Sequence, residues 1–278
     1  MSRVQNKPFK SLDNQMIHLQ NNKQIIFSNP DDEKRFLLDN NYYNVITCGK
    51  IKYAQSIDKG AHVYNVTDFK DWISYYQIDV KISCYLMPAM LDFEKKLNSR
   101  IAYFISEIME ERTAVPVIVK NRLNELIIGA NIENLPLYSK KETWTYITKM
   151  SFGDMKKLLL CLDENKSNVV VMTYLNQILD GFKLKPHDLK SQIDELNNLR
   201  NQLFHFTPLN IFLSYGQTGK KPNIRFSNTR RKKAIDYVLS LRPNNDIRKE
   251  LSDLYTCSDK FVKIKNTQLQ KQLSDKIA

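Results

Sequence analysis

The feature that most constrains the fold of this chain is a row of five aliphatic residues at helical spacing. They recur at intervals of four, three, three and four residues, as Leu189, Ile193, Leu196, Leu199 and Leu203. Because an α-helix turns once every 3.6 residues, this spacing places all five on one side of a helix. Pro186 stands where such a helix would begin, and Thr207 before Pro208 marks its end. The sequence therefore predicts an amphipathic helix that ends near Phe206.

The end of this helix contains the hexapeptide Arg200-Asn201-Gln202-Leu203-Phe204-His205. It combines a guanidinium, an amide and an imidazole, which together can hold a phosphodiester and move its protons. On a helical projection, Asn201 and His205 share the polar side opposite the leucines. Arg200 lies at the edge of the apolar stripe, so its side chain must extend to solvent or pair with an acid.

A purely structural explanation of these residues also exists. Polar side chains on the outer side of an amphipathic helix are usually only solvated. A histidine in the last turn is often only a favourable partner for the negative end of the helix dipole. The position of His205 is compatible with both explanations, and the sequence leaves them open.

A carboxylate elsewhere in the chain is a candidate partner for Arg200. Glu94 lies at the edge of an apolar stripe in a second, longer helical region, where an unpaired carboxylate would be costly. The alternative is that Glu94 contacts Asn98 or Arg100 on its own helix. That stripe consists of Met90, Phe93, Leu97, Ile101 and Phe104.

The remaining sequence predicts an all-α protein. Thr67 is a good N-cap for the longest helix, in which Pro88 should cause a kink or a break. Residues 46–66 are compatible with a short hairpin or an irregular connection. Besides the helix that ends near Phe206, helices are predicted over residues 12–21, 30–40, 67–112, 117–128, 152–162 (capped by Ser151), 169–182, 231–241 and 247–265.

Composition excludes several classes of protein. Only seven glycines and no glycine-rich loop argue against a doubly wound nucleotide-binding fold. No apolar run is long enough to span a membrane, and the amino-terminal residues lack a signal-peptide pattern. The four cysteines are far apart and build no zinc site with the histidines, which predicts free thiols in a reducing cytoplasm. We therefore expect a cytoplasmic protein with no metal and no cofactor.

The positive charge is concentrated in the last quarter of the chain. Of a net charge of +12, about +9 lies beyond residue 210, where 15 Lys and Arg face 6 Asp and Glu. Such a stretch can neutralise phosphates, and we favour nucleic acid over a solvated basic surface or an anionic lipid contact. The residues predicted to contact RNA are Lys220, Lys221, Arg225, Arg230, Arg231, Lys232 and Lys233.

Several short elements, in this order along the chain, resemble those of the Abi-like family of bacterial abortive-infection proteins, the AbiD and AbiF group. They are Phe-Leu-Leu-Asp-Asn-Asn-Tyr-Tyr at 36–43, Tyr-Gln-Ile-Asp at 76–79, Phe-Glu-Lys-Lys-Leu at 93–97 with Ile-Ala at 101–102, Ser-Phe-Gly-Asp-Met at 151–155, and Leu-Arg-Asn through His at 199–205. The chain departs from the family at Asn98, where an arginine is common. The basic region after residue 210 has no counterpart in this pattern.

The resemblance implies a fold and an activity. The fold would be a HEPN-type helical bundle over residues 67–210, with an N-terminal helical extension over 1–66 and a basic C-terminal helical extension over 211–278. The activity would be metal-independent RNA cleavage by a homodimer, leading to growth arrest or phage defence. His205 would act on the 2′-hydroxyl or the leaving 5′-oxygen, Arg200 would hold the phosphate, and Asn201 would orient either group. Each chain supplies one motif histidine, so a two-fold dimer would provide both an acid and a base.

Two other functions are compatible with the sequence. The first is a non-catalytic RNA-binding dimer that uses the HEPN core as a scaffold for a structured RNA. The second is nucleotide binding or transfer, which is disfavoured because no carboxylate pair that could hold magnesium is evident. An antitoxin, either RNA or protein, is a possible further partner. No membrane contact is expected.

Overall fold

The computed structural model describes residues 10–58, 61–110, 113–130, 143–215 and 227–274. Within these ranges the chain forms twelve α-helices, one short 3-10 helix and four short strands. The all-α prediction is therefore confirmed.

The helices follow one another with short connections. They are α1 (Leu12–Lys23), α2 (Pro30–Asp39), α3 (Tyr42–Tyr53), α4 (Phe69–Met109), α5 (Val117–Ile128), α6 (Thr143–Ile147), α7 (Phe152–Glu164), α8 (Val169–Leu179), the 3-10 helix (Pro186–Asp188), α9 (Leu189–Phe204), α10 (Leu209–Ser214), α11 (Thr229–Leu241) and α12 (Asn245–Ser274). The strands are β1 (Ile25–Ile26), β2 (Ala54–Asp58), β3 (Ala61–Tyr64) and β4 (Thr67–Asp68). Strands β2 and β3 form an antiparallel hairpin, and β1 pairs in parallel with β4.

Short polar side chains fix the starts of several helices. The Ser151 hydroxyl accepts a hydrogen bond from the Asp154 amide, which confirms the predicted cap of α7. The predicted cap of α4 is wrong, because the Asp68 carboxylate accepts the Lys70 amide at 2.9 Å. Thr67 has a different role, since its hydroxyl accepts the Trp72 indole N–H at 2.9 Å.

Two further predictions about local structure are wrong. The region predicted as a hairpin or irregular connection begins inside α3, which Asn41 caps through the amides of Tyr43 and Asn44. Helix α4 continues through Pro88, which is exposed and neither ends nor divides the helix. Burial on other sides of α3 and α4 outweighs the poor local helix propensity, because tertiary packing supplies most helical stability.

The chain forms two compact units. Unit 1 contains residues 1–85, 202–232 and 244–278, and unit 2 contains residues 86–201 and 233–243. Both units gather segments that are far apart in the chain. The three consecutive segments predicted from the sequence, 1–66, 67–210 and 211–278, therefore do not coincide with them.

The core of unit 2 surrounds Phe93 of α4. Its ring lies 6.1 Å from that of Phe152, 5.4 Å from that of Phe182 and 5.6 Å from that of Tyr237, measured between ring centroids. The Tyr237 hydroxyl donates to the Phe182 carbonyl at 2.6 Å, so the polar end of this ring is also satisfied. These contacts fix the part of α4 that contains the next residue, Glu94.

The core of unit 1 depends on close contact between α3 and α4. The fully buried ring of Trp72 stacks on Tyr53, with centroids 5.5 Å apart and an interplanar angle of 18°. On its other side it fits against the backbone of α3, where a Cβ atom placed on Gly49 would come within 1.8 Å of Trp72 Cε3. Only glycine permits this approach of helix to ring.

Gly49→Ala should therefore destabilise the protein, because the rigid indole cannot yield to the added methyl group. We expect a loss of about 3 kcal/mol or more in the free energy of unfolding, at the upper end of overpacking effects. The measurement is urea unfolding followed by circular dichroism. Gly153→Ala is the matched control, since its Cβ would meet the Ser151 hydroxyl at an ordinary 3.6 Å. Equal stability of the two variants would contradict the proposed contact.

Candidate functional site

Helix α9 presents the predicted apolar stripe to the interior. Leu196 is 2% exposed, Leu199 0% and Leu203 1%, which confirms the helical prediction. The opposite side of α9 is less open than an amphipathic surface helix would be. From Ser191 to Phe204 no residue is exposed, and His205 is the first exposed residue after the helix. The hexapeptide thus begins on a largely covered helix and ends at the surface.

Arg200 and Glu94 form an ion pair within unit 2. Arg200 Nε lies 3.1 Å from Glu94 Oε2, and Arg200 Nη2 lies 3.5 Å from Glu94 Oε1. The carboxylate therefore approaches two nitrogens of the same guanidinium, which fixes the plane of that group. The Arg200 side chain remains 29% exposed, whereas that of Glu94 is 16% exposed. A cation in this state is held in orientation and is still partly accessible to an anion.

This pair decides between the two partners that the sequence left open for Glu94. Asn98 donates instead to the Thr148 carbonyl at 3.4 Å. The Arg100 guanidinium donates to the main-chain carbonyls of Gln177 and Asp180. The prediction of an Arg200–Glu94 contact is confirmed, and the alternative within α4 is wrong.

His205 lies in the turn that ends α9. The Phe206 amide donates to the Leu203 carbonyl at 3.3 Å, and the Thr207 amide donates to the Gln202 carbonyl at 3.0 Å. This pair of bonds is the Schellman arrangement, which needs a left-handed residue after the cap, and Phe206 has φ of 52°. A left-handed conformation is unfavourable for a residue other than glycine, so surrounding contacts must hold it.

Two polar contacts within unit 1 hold the chain just after His205. The Asn44 side-chain amide donates to the Phe206 carbonyl at 3.3 Å. The two oxygens of the Asp79 carboxylate accept the backbone amides of Leu209 and Asn210, both at 2.8 Å. Helix α3 and helix α4 thus each fix one point of the segment that follows the histidine.

Asp79 is fully buried, and its environment is polar. Burial raises its pKa to about 6, although the amides of Asn210 and Leu209 oppose this shift by stabilising the carboxylate. The Asn210 side chain accepts the Cys48 thiol proton at 3.1 Å. Burial also raises the pKa of the Cys48 thiol well above its ordinary value, which leaves this cysteine protonated and unreactive.

The sequence reasoning did not single out Asp79 or Asn44 as site residues. A signal for Asp79 was available, because it lies three residues before Ile82 and seven after Trp72, on the buried side of α4. A carboxylate at such a position requires dedicated hydrogen bonds. For Asn44 the sequence offered no comparable signal, since its contact is to a main-chain carbonyl distant in the chain.

The basic residues predicted to contact RNA fall into three groups. Lys220, Lys221 and Arg225 lie outside the described residues. Arg230 and Lys233 are exposed.

Arg231 and Lys232 differ from the prediction of an accessible basic group. Arg231 is only 7% exposed, its guanidinium donates to the Phe212 and Tyr215 carbonyls, and it lies over the Phe212 ring. Lys232 pairs with the Asp259 carboxylate at 2.6 Å. We correct the prediction accordingly, because both cations already have structural partners within unit 1.

The sequence pattern of the chain supports this assembly of helices as a known family. Residues 35–209 match the model of the family described as Abi-like protein. The chain belongs to the Abi-like family. Comparisons with curated proteins and with solved structures found no match. At a general level, the Abi-like family connects the chain with abortive infection, a form of phage defence.

The Abi-like match includes all the residues that form the contacts described above. Glu94, Arg200, His205, Asn44 and Asp79 lie within it. The basic residues beyond residue 210 lie outside it. Over the described ranges, no three His, Cys, Asp or Glu side chains gather as a metal site would require. No helix in those ranges has both the length and the apolar character that crossing a bilayer demands.

The raised pKa of Asp79 predicts a specific dependence of stability on pH. A carboxyl group with a pKa of about 6 in the folded state and about 3.8 otherwise binds more protons when folded. Stability is therefore highest below the lower value and falls as pH rises between the two. We expect wild-type protein to lose on the order of 3 kcal/mol relative to Asp79→Asn across this interval.

The measurement is denaturant unfolding of both proteins at several pH values between 4 and 7. Asp236→Asn, which changes an exposed carboxylate, serves as the matched control. A wild-type advantage that grows as pH rises would show that the amides stabilise the Asp79 carboxylate more than burial penalises it.

Proposed function

We propose that this Abi-like protein is a metal-independent endoribonuclease of the HEPN type that acts as a toxin or phage-defence effector. The active groups would be Arg200, Asn201 and His205, with Glu94 as the residue that positions the arginine. The observation that most supports the proposal is the Arg200–Glu94 ion pair. It holds a partly exposed cation five residues before an exposed imidazole in one continuous stretch of chain.

The geometry around Arg200 suits phosphate binding rather than structural pairing alone. Glu94 approaches Nε and Nη2 of the guanidinium and fixes its plane. An arginine oriented in this way costs less entropy when it binds a phosphate oxygen, because its side chain is already ordered. It would stabilise the extra negative charge that the phosphorus centre develops during cleavage.

His205 would supply the proton transfer. In RNA cleavage the 2′-oxygen loses its proton and bonds to phosphorus, and the bond from phosphorus to the 5′-oxygen breaks. The products are a 2′,3′-cyclic phosphate and a 5′-hydroxyl, so one proton leaves the 2′-oxygen and one reaches the 5′-oxygen. An imidazole can perform either transfer near neutral pH. A single imidazole cannot do both in the same step, and a second copy of the chain would supply the other His205.

Asn44 and Asp79 would act as positioning residues for His205. They bind the backbone at Phe206 and at Leu209 and Asn210, so the turn that contains the histidine has little freedom. General acid–base catalysis depends strongly on such placement, because a displacement of about 1 Å can cost about a hundredfold in rate.

The purified protein should cleave RNA in the presence of EDTA and leave 2′,3′-cyclic phosphate and 5′-hydroxyl ends. His205→Ala should lower the rate by about two to four orders of magnitude, as expected for loss of a general acid or base. Arg200→Ala should do likewise through loss of charge stabilisation. The measurement is gel analysis of labelled RNA with end-group identification, together with circular dichroism of each variant.

The matched control is His187→Ala, which removes another exposed histidine outside the hexapeptide. Strict dependence of wild-type cleavage on magnesium would contradict the mechanism. Full activity in a folded His205→Ala protein would exclude the hexapeptide as the active site. Tight RNA binding without any cleavage by wild-type protein would favour the non-catalytic scaffold function instead.

The need for two imidazoles predicts a homodimer with a shared active site. Sedimentation of the wild-type protein should therefore give the mass of two chains. Mixing His205→Ala chains with Arg200→Ala chains should restore part of the activity if each site draws its two groups from different chains. A monomer with full ribonuclease activity would contradict the shared-site model, whereas a dimer without restoration would place both groups in one chain.

A further inference from the structure

Four rings of unit 1 follow one another in a row beside the β2–β3 hairpin. His62 lies 6.4 Å from Tyr64 and 5.6 Å from Phe261, and Phe261 lies 5.7 Å from Tyr215, measured between centroids. These residues come from the hairpin, from α12 and from the end of α10, so tertiary structure alone assembles them. We call these four residues the ring row.

Lysines lie over both ends of the ring row. Lys23 Nζ is 5.5 Å from the centroid of Tyr64 at one end. Lys265 Nζ is 4.1 Å from that of Tyr215 at the other end and 5.9 Å from that of Phe261. The negative face of an aromatic ring attracts an ammonium group and so holds each lysine in place.

A third lysine contributes to the same electrostatic environment. Burial lowers the pKa of His62 to about 4, and Lys50, Lys23 and Lys265 lower it further. Burial, with Lys50, also lowers the pKa of Lys265. The charged groups that act on His62 are thus all lysines, and the imidazole is neutral at neutral pH. We call Lys23, Lys50 and Lys265 the lysine triad.

The fold treats these lysines differently from others in unit 1. Lys81 pairs with the Glu250 carboxylate at 2.6 Å, and Lys232 pairs with Asp259 at 2.6 Å. Among the residues described, neither Lys23 nor Lys265 forms an ion pair with a carboxylate. Rings stabilise an ammonium group without cancelling its charge. The positive potential of this surface therefore remains available to a ligand.

Convergence of three lysines from α1, α3 and α12 is unfavourable for folding, because like charges repel and Lys265 is partly desolvated. A polyanion would reverse this effect, since each phosphate replaces a repulsion by an attraction. Lysines at opposite ends of a row of four rings suit a ligand with repeating phosphates more than a single small anion. Tyr64 and Phe261 are buried, so these rings orient lysines and do not stack on bases.

We propose that the lysine triad is a binding surface for the phosphate backbone of single-stranded RNA, separate from the hexapeptide and from the basic segment around Arg230. The proposal rests on the ribonuclease function insofar as that function identifies RNA as the polyanion. It adds a site that would hold the RNA strand outside the reacting phosphate.

The test replaces the triad by glutamine in the full chain with His205→Ala, so that RNA is bound without being cut. The probe is a fluorescent 20-nucleotide polyuridine, and anisotropy is measured over a range of KCl concentrations. Lys70, Lys249 and Lys263, three exposed lysines of unit 1, are replaced together as the matched control. A third protein carries arginine at all three triad positions, which keeps charge and ring contact.

The glutamine triad should bind RNA about tenfold more weakly at moderate salt. Its slope of log affinity against log salt should be shallower by about 2, at roughly 0.7 per lost contact with a single strand. The arginine protein should retain the wild-type affinity and slope, and the exposed control should change both much less. Circular dichroism of all three proteins verifies that they are folded.

Unchanged affinity and slope in the glutamine triad would overturn the proposal. An equal loss in the exposed control would overturn it too, because net charge alone would then explain binding. Loss of binding to vesicles containing phosphatidylserine, with RNA binding intact, would assign the surface to anionic lipid instead. Cleavage by the wild-type chain is assayed separately, so failure of the ribonuclease function is distinguishable from failure of this site.

Discussion

The fully buried carboxylate of Asp79 fixes the segment on which the candidate site depends. Its two oxygens accept consecutive backbone amides at the start of α10, and α10 in turn packs against α3 and α12. A buried carboxylate is costly unless its hydrogen bonds are satisfied, and a rise of its pKa to about 6 shows that the cost is only partly offset. The benefit is geometric, because one side chain determines where the chain continues after the left-handed residue Phe206.

Two different devices hold the two ends of the hexapeptide. Arg200 is held through its own side chain by Glu94, whose helix is fixed by the aromatic core around Phe93. His205 is held through its backbone, by the Schellman turn and the contacts of Asn44 and Asp79. The difference suits the chemistry that we propose. A phosphate-binding cation benefits from a fixed orientation, whereas a proton-transfer group must reach solvent and substrate and so must remain exposed.

The excess of positive charge serves more than one purpose in this Abi-like protein. Within the densest basic run, Arg231 closes main-chain carbonyls in the interior of unit 1, and Lys232 is paired with Asp259. Lys23 and Lys265 are separated by most of the chain, yet rings of the same row hold them. A count of charges along the sequence favours the consecutive run and misses the dispersed set. The charge that is available to a polyanion is determined by which cations have carboxylate or carbonyl partners, and that is a property of the folded chain.

The sequence by itself determined the helical class, most helix positions, the leucine stripe of α9 and the Arg200–Glu94 pair. These features depend on local periodicity, on capping residues such as Ser151, and on the cost of leaving a charge at the edge of an apolar stripe. Tertiary structure alone decided the helix α3, the continuation of α4 through Pro88, the burial of Arg231, and the contacts of Asn44 and Asp79 with the turn after His205. The physical reason is that packing between distant segments can outweigh weak local propensities, and that a hydrogen bond to a main-chain amide or carbonyl leaves no pattern in the sequence of its acceptor or donor.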